Sequence, residues 1–575
     1  MTPVPQLAGK SPVSGQDRVR PAVLSPLPLT PRRGNFRLSF PDPTPAILRG
    51  RLLTGKNPGI IISANGCLQA AVLVYQIRAD LVELVFDPRV EDLRVGESLL
   101  LREADSGRAL VVQVVGFRTV SYPALIREEF GPQPESPPPL DEPDFKHLKV
   151  ALAKIRKLAT RPWENWDGWV PHREVVVERV GDREVLRQCV ADLGNRILIG
   201  RTLQGDPFYV EGQALEKVNI ITGAKGSGKS HLAKVLLMRL IEQGAPCIVF
   251  DINREYVHLP PLELDLFEER VVRPGVIHLR AGHNLKLGIR QFGLGPLLTM
   301  LTKFGLPEAS ALHFENRVAR LLDEVRQRER AGQKVPFIGI DQLIQLAEEN
   351  EYYQGGGSQW GGDRVAAVIN GAIRSRLEAL KNTGLFASHP KEATSIPDHY
   401  RLIRHGGALI IDIADLSNLA KVGFVQAILE MIKDLCEAET VEGTGRYPFV
   451  FFEEAHLYVQ KASIDYLVTR ARHLGLTSFF VTNMVTGLDE VVLRQADNLF
   501  LLNLPYEDDV RHVAKSAVVD QETLAAFVRR LKRHHVLAVG QVTGGYPVIV
   551  RVDPLTGVNT AGETRYFFRP RVAVG

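Results

Sequence analysis

The sequence predicts an α/β core built on a mostly parallel sheet, with a small all-β domain ahead of it. Two observations carry that expectation. From about Arg196 onward, short and continuously apolar runs alternate with amphipathic helical stretches, as strands covered by helices on both faces require. Between about Phe36 and Pro123, the runs GIIIS, LVELVF, ESLLLRE and ALVVQVVGF alternate with Gly, Asn and Asp turns, the pattern of a small barrel or sandwich.

Residues 1–33 are rich in Pro, Ser and Gly and read as a disordered tail, because such a composition buries too little surface to offset chain entropy. The β-barrel domain is expected over 34–125. A proline-rich linker over 126–150 follows, centred on GPQPESPPPLDEP, which runs extended for lack of backbone donors. Residues 151–195 read as a connecting helix and strands, with a charged helical stretch near 146–160 and the strand-like EVVVERV. The core spans 196–560. Its candidate strands are VNIIT, CIVFDI, ALIIDIA, PFVFFEE, TSFFVTN and NLFLLNL, with a mainly helical insertion over about 290–400 and a tail over 561–575.

Composition narrows the function classes. The chain has 575 residues, 45% of them hydrophobic, enough for two or more cored domains. Lys and Arg total 70 against 66 for Asp and Glu, a net charge of +4, so any nucleic-acid contact must be local. Cys67, Cys189, Cys247 and Cys436 lack paired spacing and suit reduced thiols better than a disulfide or zinc framework. The N-terminus has no apolar signal region, and no run of about 18 apolar residues occurs, so a cytoplasmic protein without membrane contact is expected.

The strongest local signal is VNIIT followed by Gly223-Ala224-Lys225-Gly226-Ser227-Gly228-Lys229-Ser230-His231 and an amphipathic helix. This is the complete phosphate-binding motif in its strand, loop and helix setting. Glycines let backbone N–H groups close around phosphate oxygens while the helix presents its positive end. Lys229 is expected to contact the β and γ phosphates of ATP, and the Ser230 hydroxyl to hold Mg²⁺. A Gly-rich turn with no ligand is the bland alternative.

Hydrolysis also needs acids at the end of another strand, to anchor the metal and polarise water. PFVFFEEAH delivers Glu453 and Glu454 to the strand end where ligands of open α/β sheets bind. Glu453 is assigned to Mg²⁺ and Glu454 to the attacking water, although either alone could be a solvated loop acid. DINREY brings Asp251 and Glu255 to the same edge; capping by Asp251 and surface charge on Glu255 stay open as alternatives. Asn483, closing TSFFVTN, could sense the γ phosphate or orient water.

In this order the motifs GNRILIGR, GAKGSGKS, DINREY, FFEEAH, TRARHLG, VTNMVTGLD and GQVTGGYPVIVRV resemble the HerA-like family of the FtsK-HerA group of P-loop motors. A metabolic kinase shares only the phosphate loop. The resemblance spans roughly Arg196 to Pro554. It implies a RecA-like P-loop ATPase core with mostly parallel sheet and helical insertion, a small N-terminal β-barrel, and a homo-hexamer with ATP between neighbouring subunits. Where the family often has Asp for the metal and Gln for the sensor, this chain has Glu453 and Asn483.

Such rings insert an arginine in trans to stabilise charge on the γ phosphate. Aligning the family's arginine-rich motif on Gly475 gives Arg472, with Arg470 as substitute; a helix-surface cation is the alternative for either. The resemblance further implies sequence-independent grip on double-stranded DNA and a NurA-like nuclease partner in double-strand-break end resection. Candidate DNA contacts are Arg374, Arg376, Lys381, Lys391 and Lys461, with Arg364 and His389 nearby. Arg529, Arg530, Lys532 and Arg533 form the densest basic run, which also fits a solvated helix face. Rival functions are a nucleotide-gated ring scaffold that activates a nuclease or defence effector, and an FtsK or conjugation-type DNA pump.

Overall fold

The computed structural model describes residues 72–118, 149–172, 175–265, 270–348, 359–443, 445–459, 476–556 and 558. The expected tails over 1–33 and 561–575, most of the proline-rich stretch, Cys67, Lys461, Arg470 and Arg472 lie outside them.

Seven strands form a small antiparallel sheet: β1 (Val72–Arg78), β2 (Leu81–Phe86), β3 (Ser98–Glu103), β4 (Ala109–Arg118), β5 (Lys149–Leu158), β6 (Glu164–Asn165) and β7 (Val175–Val180). Their order is β1-β2-β5-β4-β3-β7, with β6 paired to β5. Among the described residues no hydrogen-bonded ladder joins the edge strands β1 and β7, although the two strands approach each other.

The structure corrects the expected organisation here. Residues 149–158 are not helical: KVALAKIRKL is β5, hydrogen-bonded between β2 and β4 near the centre of this sheet. The chain therefore returns to the small sheet after the proline-rich stretch, and EVVVERV contributes its edge strand β7. The run fits either period, and tertiary pairing decides. The β5 cations have partners. Arg156 donates to Asp520 (3.2 Å), Thr523 (2.7 Å) and Gln113 (3.1 Å), and Lys154 lies 2.8 Å from Glu522 and 3.0 Å from Asp80.

The core sheet holds β8 (Arg196–Thr202), β9 (Pro207–Glu211), β10 (Val218–Thr222) and β11 (Pro246–Asp251). A separate two-stranded ribbon, β12 (Glu263–Asp265) and β13 (Arg270–Arg273), follows. The remaining core strands are β14 (Val276–Arg280), β15 (Gly407–Asp412), β16 (Phe449–Glu453), β17 (Thr477–Thr482), β18 (Asn498–Leu501), β19 (His535–Gly540) and β20 (Val548–Val552). The order is β14-β15-β11-β16-β17-β10-β18-β19-β20-β8-β9. From β14 to β18 every pairing is parallel, and from β18 to β9 every pairing is antiparallel.

All six strands expected from apolar runs lie in the parallel part. GNRILIGR and PVIVRV, far apart in sequence, pair as β8 and β20. Gly200 permits that approach, since a Cβ there would sit 2.1 Å from the Arg551 carbonyl oxygen.

Both faces of the central parallel strands are covered, which is why β10, β11, β16, β17 and β18 are buried along their whole length. Phe451, Phe479 and Phe500 pack with Leu232, Val235 and Leu236 of the helix Lys229–Glu242. Phe250, Phe452 and Phe480 face the other way, toward Phe424, Ile428 and Ile432 of the helix Asn418–Glu442. The phenylalanines stack across strands, Phe451 on Phe479 at 4.3 Å and Phe452 on Phe480 at 5.1 Å; each buried ring contributes about 2–3 kcal/mol. The expected helical insertion is present as Leu294–Lys303, Glu308–Arg330, Ile340–Glu348, Gln359–Lys381 and Ile396–Ile403. Cys247 and Cys436 are buried free thiols, and burial raises both pKa values, Cys436 to about 12.

The small sheet is fastened to the core by polar contacts: Ser98 Oγ to Tyr546 Oη at 2.6 Å, Gln113 to the Pro547 carbonyl at 2.8 Å, and the Arg156 fork. Arg156→Ala removes three hydrogen bonds, two of them on Asp520 and Thr523. It is expected to cost about 2 kcal/mol in denaturant-induced unfolding, and an unchanged midpoint and slope would show that the junction carries no stability.

Candidate phosphate-loop and acid-pair site

The loop Gly223–Gly228 joins β10 to the helix Lys229–Glu242. Geometry requires the loop glycines. Gly228 has φ of 115°, and a Cβ on Gly223 would lie 2.8 Å from Leu502 Cβ. Neighbouring segments hold the loop: Ala224 N–H donates to the Asn503 carbonyl at 2.7 Å, and His534 N–H donates to the Ser227 carbonyl at 2.9 Å. The Lys229 ammonium bends back over the loop, donating to the carbonyls of Gly223 (2.9 Å) and Ala224 (3.2 Å). Burial lowers its pKa, while Glu454, Glu453 and Glu255 act against that shift.

Lys229 and the acid pair therefore share one electrostatic neighbourhood. Strand β17 lies between the loop strand β10 and the acid strand β16, and Thr222 pairs with Thr482 while Glu453 pairs with Val481. The three strands end level, so their C-terminal groups meet at one sheet edge.

Glu453 is 4% exposed, and its Oε1 accepts a hydrogen bond from the buried Tyr256 hydroxyl. Burial, with the negative charges of Glu255, Asp251 and Glu454 adding to it, pushes the Glu453 carboxyl up to about 8, against the Tyr256 hydrogen bond. Glu454 stands just beyond the strand in a left-handed conformation, φ 48°, a strained position for a side-chain-bearing residue. Its Oε1 accepts from Asn483 Nδ2 at 3.2 Å, and its Oε2 lies 3.6 Å from His456 Nδ1. The structure thus brings Lys229, Glu453, Glu454 and Asn483 together.

Asp251 is present at the same edge, but its oxygens are engaged. They accept from the backbone N–H groups of Asn253 (3.1 Å), Glu255 (3.1 Å) and Tyr256 (3.0 Å). Asp251 folds the DINREY turn so that Tyr256 reaches Glu453. It caps a turn and not a helix. Burial raises its pKa, against those three hydrogen bonds. Glu255 lies 3.8 Å from the ammonium of Lys234, a fully buried lysine that also sits 5.4 Å over the Tyr256 ring. Sequence reasoning missed Lys234 and Tyr256. The available signal was a single lysine on the apolar side of the helix after the loop, five residues past Lys229.

Residues 197–432 match the family described as "Helicase HerA, central domain". The DNA double-strand break repair helicase HerA of Saccharolobus solfataricus is 21% identical over 351 residues, covering 59% of this chain and 64% of that protein. Its namesake in Sulfolobus acidocaldarius is 22% identical over 360 residues, covering 59% and 65%. The chain thus spans less than two thirds of the length of these relatives. Among solved structures, VirB4 of Thermoanaerobacter pseudethanolicus aligns with a TM-score of 0.45 at 16% identity, over 64% of this chain and 98% of that one. The matched residues include the phosphate loop, and the acid pair lies beyond them.

The described residues expected to contact DNA lie on the helix Gln359–Lys381 and on the turn Pro390–Glu392. Arg374 is paired with Glu348 (2.7 Å) and Glu378 (2.9 Å), and Lys381 with Asp341 (2.6 Å). Arg376 donates to the carbonyls of Ala372 and Gly305, both at 3.3 Å. All three thus have partners within the helical layer. Lys391 is exposed on the turn Pro390–Glu392. Among the described residues no helix is long and apolar enough to cross a membrane.

The Glu453 shift has a measurable consequence. Its folded pKa of about 8 lies above the ordinary carboxyl value, so the folded state binds the proton more tightly than the unfolded state. That contribution to stability is complete below the unfolded pKa of about 4.3 and is lost as pH rises through the folded value. Glu453→Gln is expected to flatten the fall in stability of the ligand-free protein between about pH 4.5 and 8. Identical pH profiles for the two proteins would contradict the buried, proton-binding carboxyl. Tyr256→Phe is expected to lower stability by about 1 kcal/mol and to shift the same profile.

Proposed function

We propose that the protein is an ATP-driven DNA translocase or helicase that works as a homo-hexameric ring. The observation that carries this reading is the shared edge at which Lys229 lies beside Glu453, at the end of β16, and Glu454, just beyond it.

The residues fit a magnesium nucleoside triphosphate. The Ser227 hydroxyl is buried without a hydrogen-bond partner among the described residues. Lys229 can exchange its two carbonyl acceptors for phosphate oxygens. Ser230 and Glu453 would hold the metal, Glu453 giving up its proton to do so. Bound MgATP supplies the phosphoryl group to be transferred and a divalent charge at its leaving oxygens. Glu454, held by Asn483 with its other oxygen toward His456, is placed to orient and deprotonate a water. Asp251 and Tyr256 keep Glu453 in position. A neighbouring subunit would add Arg472, or Arg470, at the γ phosphate.

Double-stranded DNA is the substrate we infer, gripped through its backbone without sequence readout. The same reading extends to end resection at double-strand breaks with a NurA-like nuclease, in the cytoplasm. The resemblance of the core to HerA supports each of these steps.

ATP hydrolysis measured with and without linear duplex DNA, beside a native-mass determination, tests the proposal. Stimulation by DNA and a hexameric mass are expected; a monomer indifferent to DNA would refute it. Lys229→Ala and Glu454→Gln are each expected to lower the hydrolysis rate by about 100-fold or more while the ring stays intact. Near-normal turnover in either would remove the assigned site.

A further inference from the structure

The acid pair occupies only one flank of the phosphate loop. Beyond β10 on that side come β17 and β16; on the other side come β18 and then β19. The γ phosphate must face the acids, so the nucleoside end of a bound triphosphate points away from them, toward the β18 and β19 flank.

What stands there is the basic turn that leads into β19. Its helix, Gln521–Val528, is tied to the end of β18 by Leu504 N–H donating to the Val528 carbonyl at 3.0 Å. The turn then brings His534 against the loop. His534 adopts a left-handed conformation, φ 61°, and its N–H braces the Ser227 carbonyl. Its ring fills the space beside Gly228, where a Cβ would lie 2.8 Å from Nδ1. That ring also meets His231 edge-on, with centroids 4.6 Å apart and planes at 73°.

His231 sits in the first turn of the helix that follows the loop. The His534 Nδ1 atom is buried and has no hydrogen-bond partner among the described residues. A buried nitrogen left unpaired is costly, and a ligand group that satisfies it gains accordingly.

We propose that His534, with His231, forms the nucleoside end of the phosphate-loop site, and that it takes the base or sugar of a nucleoside triphosphate through ring contact and through Nδ1. Burial and the nearby charges of Arg533 and His535 lower the His534 pKa, which keeps the ring neutral and suits it to a base or sugar more than to a phosphate. The basic run noted in the sequence thereby adjoins the phosphate loop. This inference rests on the loop binding nucleotide at all.

The test compares two ligands by calorimetry on the full chain, MgATP and magnesium tripolyphosphate, the second lacking a nucleoside. Wild type is expected to bind both, ATP more tightly. His534→Asn keeps a residue that tolerates the left-handed turn but removes the ring. It is expected to weaken ATP about 10-fold or more and to leave tripolyphosphate within about twofold. His231→Ala, a substitution compatible with the helix, is expected to act in the same direction. Equal weakening of both ligands in His534→Asn would overturn the proposal, leaving His534 as a brace for the loop. So would wild type that binds the two ligands equally. Wild type that binds neither would remove the nucleotide reading itself, and this inference with it.

Discussion

The level ending of three parallel strands, β10, β17 and β16, is the constraint on which the site depends. Their register is fixed by ladders that pair Thr222 with Thr482 and Glu453 with Val481. A slip of one residue along β16 would exchange the faces of Phe451, Phe452 and Glu453. That would set a carboxyl among the stacked phenylalanines and withdraw it from Tyr256. The aromatic stacking on both faces of the sheet therefore does more than fill the core, because it sets the height at which the glutamates emerge.

Around that edge the protein gathers opposite charges with little solvent. Lys229 and Lys234 are buried beside Glu255, Glu453, Glu454 and Asp251, and burial moves the two kinds of group in opposite directions. It lowers the lysines and raises Glu453. Groups held this way are oriented before any ligand arrives and need little reorganisation when charge develops. The strained backbone of Glu454 fits the same picture, since a left-handed residue at a strand end is retained where the surrounding structure determines it.

The parallel core and its loop were legible because their signals are local. Six continuous apolar runs announce strands covered on both sides, and a complete glycine motif announces its own turn. Other features depended on partners far away in sequence. KVALAKIRKL reads as helix or strand until Asp520 and Glu522 are brought to its cations. Asp251 is recognisable as an acid, but its engagement by three backbone amides follows from the turn through Arg254, whose φ is 57°. Arg374 and Lys381 look free in the sequence and are paired across the helical layer. Lys234 and His534 gain meaning only from what packs against them.

The central claim is that the glycine-cradled loop and the twin glutamates form one cleft around a triphosphate. A crystal structure with Mg²⁺ and a non-hydrolysable ATP analogue measures this directly. The account predicts the terminal phosphate between the Lys229 ammonium and the Glu454 carboxylate, with the metal within reach of Ser230 and Glu453. An analogue whose terminal phosphate lies away from Glu454, or that binds elsewhere on the chain, would contradict it.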